Sequence, residues 1–131
     1  MRTILLLFLT LAAFGCGYSR PKQMTQAGIV PVVAAIMPAS LQHGGSDFTL
    51  TVTGSNFNGN AVVNWNAAPQ SNTTHPMANT LIVMIPAADI ATTGTAQVSV
   101  TNPGSSTPGG PYGGGSNTPS EVSNSMMFTI N

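Results

Sequence analysis

Side chains able to do chemistry are few in this sequence, and they are scattered. There is one cysteine, Cys16, and two histidines, His43 and His75. A single thiol cannot build an internal disulfide framework or a cysteine-cluster metal site. The histidines lie far apart in polar, turn-like surroundings, with no second ligand at metal-binding spacing, and read as solvated surface groups. The carboxylates are Asp47, Asp89 and Glu121. A hydrolytic mechanism needs a nucleophile, a base and a group that orients the base, and no such set is visible around them. Three carboxylates are also too few for a calcium cage. The expectation is therefore a protein without catalysis, metal or cofactor. Trp65, flanked by Asn64 and Asn66, could serve as a stacking platform for a sugar. Its alternation with Val63 instead points it into a core. Tyr112 stands among glycine, serine and proline, where a rigid aromatic can supply contact area to a ligand or mark nothing more than a flexible linker.

The surroundings of Cys16 give it more meaning than its number does. Met1, Arg2 and Thr3 form a short basic start, and residues 4–14 are apolar except for Thr10. That run is shorter than the roughly 20 residues a membrane-spanning helix needs and suits the hydrophobic region of an export signal. It ends in Ala13-Phe14-Gly15-Cys16-Gly17, which resembles a bacterial lipobox with Cys16 as the lipidated residue. The resemblance implies a signal peptide over 1–15 and a membrane anchor on Cys16. Residues 16–30 show no apolar period and read as a flexible tether.

Beyond residue 30 the pattern is that of strands. Phe48, Leu50 and Val52 alternate with Thr49, Thr51 and Thr53, which puts one face in a core and the other in water. Strands are likewise expected over 31–36, as an edge strand bounded by prolines, and over 61–66, 80–85, 95–102 and 126–130, with a further weak segment over 71–75. Residues 87–91 read as a turn with one helical twist that lets Ile90 plug the end of the core. Leu81, Val83 and Ile85 should face inward in register with Phe48, Leu50 and Val52. Ile82 and Met84 then fall on the outward face, where two apolar groups could form a docking patch, with Thr49 or Thr51 beside it. Residues 103–120 contain no strand signal, and a connection of that length inside a compact domain is commonly functional or disordered.

Charge narrows the function further. Charged residues make up 5% of the chain, against roughly a quarter in ordinary soluble proteins. Nucleic-acid binding needs a basic face, and this chain has none to offer. About seven short strands over some 100 residues, separated by turn signals, describe an all-β, two-sheet sandwich of immunoglobulin-like form.

Several stretches also carry a family resemblance: 36–40, Gly44-Gly45, Val52-Thr53-Gly54-Ser55-Asn56-Phe57, Val63-Asn64-Trp65-Asn66, 81–87, 98–103 and 128–130. In this order and spacing they resemble the IPT/TIG domain, an immunoglobulin-like fold of bacterial surface proteins, plexins and some transcription factors. The resemblance covers residues 31–130, so that the domain is placed at 31–131. Ala67 stands where the family commonly has glycine. No catalytic residues follow from it. The function expected is a structural, adhesive or protein-binding module of the cell envelope, held to the membrane through Cys16 and binding protein or polysaccharide. The alternatives are a carbohydrate-binding module and a fragment or accessory subunit of a larger surface protein.

Overall fold

The computed structural model describes residues 24–131. The expected signal peptide and Cys16 lie outside them. Among the described residues there are strands and one 3-10 turn, and no α-helix. In chain order the strands are β1 (Met24–Thr25), β2 (Val32–Met37), β3 (Ser40–Leu41), β4 (Phe48–Ser55), β5 (Val62–Trp65), β6 (Ala68–Pro69) and β7 (Thr74–Met77). There follow β8 (Thr80–Ile85), β9 (Gly94–Asn102), β10 (Ser105–Thr107), β11 (Ser116–Thr118), β12 (Glu121–Val122) and β13 (Met126–Ile130).

Two sheets form the sandwich. One runs β2-β4-β8-β7, and the other runs β3-β13-β9-β5-β6, with β12 also paired to β9. As the prolines at its ends imply, β2 is an edge strand. The antiparallel register of β4 and β8 sets Phe48 opposite Ile85, Leu50 opposite Val83 and Val52 opposite Leu81. Because side chains alternate along a strand, this register delivers all six to one face. Leu50, Val52, Leu81 and Ile85 are completely buried, and on the facing sheet so are Val63, Val98, Val100 and Phe128. Burying a large aliphatic side chain stabilises by about 1.5–3 kcal/mol, so these eight positions are the main determinants of the fold. Ile90, in the 3-10 turn Ala87–Ile90, closes the end of this core as expected.

An aromatic cluster links the two sheets. The Phe128 ring stacks on Phe48 with centroids 5.3 Å apart, and Trp65 tilts against Phe128 at 5.1 Å. Pairs of this geometry add about 0.5–1.5 kcal/mol beyond the area they bury.

Two regions depart from the sequence expectation. Residues 103–120 contain a hairpin, β10 and β11, in which Ser105 faces Thr118 and Thr107 faces Ser116. Its ladder consists of backbone groups on serine, threonine and asparagine, so no apolar alternation announces it. Residues 24–30, read as part of the tether, are attached to the domain. There β1 lies parallel to β11, with Met24 opposite Ser116, and the Gln26 N–H donates to the Asn117 carbonyl at 3.0 Å. This attachment is again made through the backbone, which a pattern of side chains does not reveal.

Candidate functional site

Among the described residues the titratable side chains are not brought together. Asp47 lies at the pole of the sandwich where β4 begins, and its Oδ1 accepts from the Ala87 N–H at 2.8 Å. Glu121 lies at the other pole, paired across from Asn102. His43 is exposed; both its backbone N–H and its Nδ1 lie 2.8 Å from the Asn131 carbonyl, so Nδ1 carries the proton and donates. His75 corrects the expectation of two solvated histidines. It is half-buried on β7, and its Nε2 is shut off from water with no hydrogen-bond partner. It lies where the pairing of β7 with β8 shifts register, between Thr74 opposite Ile82 and Met77 opposite Thr80. Among the described residues no three of His, Cys, Asp and Glu gather as a metal-ligand group.

Trp65 is 3% exposed. It offers no platform to a sugar and belongs to the aromatic core. Asn64, beside it on the opposite face, is also buried. Its Nδ2 donates to Thr101 Oγ1 at 2.8 Å and to Ser99 Oγ at 3.3 Å, a polar cross-strand group in the middle of the sheet.

A second asparagine does more. Asn102, at the end of β9, is buried, and its Nδ2 donates to the carbonyls of Asn56 at 2.7 Å and Ile29 at 2.8 Å. Its Oδ1 accepts from the Asn58 N–H at 3.0 Å. One side chain thereby ties the entering N-terminal segment and the loop after β4 to the end of β9. Beside it lies a cleft of about 230 Å³ lined by Gln26, Ile29, Asn58 and Pro103 among others. The polar atoms of Asn102 are all engaged in holding the loops, so the cleft gains no free donor or acceptor from it.

What remains are surfaces. The outer face of the β2-β4-β8-β7 sheet carries a threonine stripe from β4, with Met84 opposite Thr49 and Ile82 opposite Thr51. The register continues on both sides, since Met37 lies opposite Thr51 and Thr74 opposite Ile82. Met37 is 74% exposed, Met77 67% and Met84 53%, whereas Ile82 is half-buried. The two expected residues are thus part of a wider face to which Met37 and Met77 contribute. Met37 falls just after the strand expected over 31–36, and Met77 gave no signal, because its own strand was expected over 71–75 whereas β7 is Thr74–Met77.

Tyr112 belongs to a different place. It sits at the tip of the β10–β11 hairpin, in a tight turn closed by the Gly113 N–H donating to the Gly110 carbonyl at 2.9 Å. The structure does not join it to Ile82 and Met84, which lie on another sheet.

A family model of the IPT/TIG domain matches residues 31–125. The chain belongs to the IPT/TIG domain family. No curated protein matches it. The matched part of the TIG domain stops just before β13, yet β13 is integral to the fold, pairing with β9 along Met126–Ile130 and supplying Phe128 and Ile130 to the core. No catalytic family is matched along with the TIG domain, and what this TIG domain presents is surface: a methionine-bearing sheet face and an aromatic hairpin tip.

Proposed function

We propose that this TIG domain is a non-catalytic, protein-binding module of the bacterial cell envelope, lipid-anchored at Cys16, and that it docks its partner on the outer face of the β2-β4-β8-β7 sheet. The observation that carries the reading is the exposure of Met37, Met77 and Met84 around Ile82 on one sheet face. Methionine is flexible and polarizable and moulds itself to an apolar partner surface. The threonines between them donate and accept hydrogen bonds without the desolvation cost of a charge. Residues 24–131 contain no lysine or arginine and only Asp47, Asp89 and Glu121 as acids. Recognition therefore rests on shape and apolar contact rather than on electrostatic steering. The carbohydrate alternative is weakened, because the aromatic it relied on, Trp65, is buried.

The test is photo-crosslinking in intact cells from a reactive group placed at Met84, repeated in an Ile82→Thr background. A discrete adduct that the Ile82→Thr change abolishes, without altering the melting temperature, supports docking on this face. A crosslinking pattern indifferent to that change, or binding on a glycan array with no protein adduct, overturns it.

A further inference from the structure

The hairpin tip is built in an unusual way. From Gly109 to Gly115 the sequence is Gly-Gly-Pro-Tyr-Gly-Gly-Gly, so Pro111 and Tyr112 hold the only side chains there larger than hydrogen. Thr107 Oγ1 clasps the base, accepting from the Ser116 N–H at 3.2 Å. Gly113, at φ 84°, takes the left-handed conformation that closes the turn. Gly109 and Gly115 face each other so closely that a β-carbon on Gly115 would lie 2.8 Å from the Gly109 nitrogen. The result is a narrow backbone stalk that presents one tyrosine, 96% exposed, at its end. Residues 103–120 carry no charge.

The direction of the stalk is fixed by β1. Because β1 and β11 are parallel and Met24 pairs with Ser116, residues preceding Ser116 lie on the side from which the chain enters β1. The tip therefore points back along the direction of β1, away from Thr25. Tyr112 is four residues before Ser116, so it lies at most about 14 Å beyond Met24. Cys16 is eight residues before Met24. Eight residues span at most about 27 Å. Those lengths let the tip and residue 16 reach the same plane. Arg20 and Lys22 fall between Cys16 and β1 in the sequence, where cations are drawn to anionic headgroups. The same pole exposes Ile29 and Val30, at 65% and 50%.

We infer that Tyr112 is a membrane-interface contact: the hairpin tip rests in the headgroup layer of the bilayer that holds Cys16, and so fixes the orientation of the domain on it. The inference rests on the lipid-anchor reading. Tyrosine suits that layer, with an apolar ring and a polar hydroxyl that can remain hydrated. A preformed, uncharged stalk delivers the ring with little ordering cost and no charge to desolvate.

The experiment uses the mature, lipid-bearing full-length chain carrying Tyr112→Trp, incorporated into phosphatidylethanolamine–phosphatidylglycerol vesicles whose acyl chains bear bromine. Gln42→Trp, at the opposite pole, is the comparison. The parent chain, whose buried Trp65 is its single tryptophan, gives the background to subtract. The expected result is a blue shift and a roughly twofold loss of emission for the indole at position 112, with the indole at 42 unaffected, as an aromatic entering the interfacial layer requires. Flotation of the protein with the vesicles while the indole at 112 keeps its water-like emission overturns the tip contact and leaves the anchor standing. Failure to float overturns both. Equal quenching at 112 and 42, or shielding at 112 that appears only when envelope proteins are added, overturns the membrane contact as well.

Discussion

The turn between β5 and β6 makes a demanding prediction, because it calls for a stabilising substitution. Trp65 pairs with Ala68, so Asn66 and Ala67 are the whole connection, and both have positive φ, 49° and 67°. This is the type I′ geometry that favours Asn followed by Gly. Asn66 is at ease there and also works, its N–H donating to the Gln97 carbonyl at 2.8 Å and its Oδ1 accepting from the Gln97 N–H at 2.9 Å. Ala67 is exposed and provides none of these bonds. A β-carbon in the left-handed region costs roughly 1–2 kcal/mol, and glycine gives back roughly 0.5–1 kcal/mol through its freer unfolded chain. Ala67→Gly should therefore stabilise by about 0.5–1 kcal/mol. For a domain of this size that corresponds to a rise in melting temperature of about 3–6 °C. Trp65, close by in the core, reports unfolding through its fluorescence in thermal or urea titrations. Ala67→Val, with a branched β-carbon in the same conformation, should move the midpoint in the opposite direction. An unchanged or lowered midpoint for Ala67→Gly would show that the turn is not where this strain resides.

Three further outcomes follow from the geometry. Asn102→Ala strips partners from the Asn58 N–H and the Ile29 and Asn56 carbonyls and should cost about 2–4 kcal/mol in urea unfolding, since a buried polar group left unpaired costs about 1–3 kcal/mol; a loss under 1 kcal/mol would mean that the N-terminal segment and the loop after β4 are held by something else. Gly54→Ala forces a β-carbon into the Val32 carbonyl oxygen and to 2.6 Å from Phe57 Cζ, so it should destabilise by at least about 2 kcal/mol through overpacking, and a near-neutral midpoint would refute the close approach of β2 to β4. Tyr112→Ser, at a fully solvated tip, should leave the midpoint within about 0.5 kcal/mol of the parent; a larger drop would place the ring in a contact of the fold.

The central strands were legible because their inward residues alternate without interruption. The observed register puts Leu81, Val83 and Ile85 on the same face as Leu50 and Val52, and a slip of one residue would have turned one of the two apolar sets to water. Trp65 followed from the same logic. Alternation gives the face of a residue but not the depth of its cover, which is why Asn64, correctly outward, is nonetheless buried beneath its neighbours. The hub at Asn102 lay beyond reach for another reason: Ile29, Asn56 and Asn58 approach it from distant parts of the chain. The hairpin and β1 escaped because their ladders are made by backbone groups on Ser, Thr, Asn and Gly, residues whose side chains leave no hydrophobic period. Of the surfaces, Ile82 and Met84 stood out as apolar residues on a wet face, whereas the methionines that enlarge the patch depend on which edge strands are adjacent.

The pairing of Asn102 with Glu121 has a consequence for how such a protein can change. The two residues are neighbours across β9 and β12, so the intervening hairpin begins and ends at one point on the sandwich wall. Lengthening, shortening or replacing it alters no core residue and no register between the two main sheets. Mutation can therefore vary the stalk freely while the frame is held constant. Its length is a ruler, set independently of stability, for how far from the domain its tip is carried.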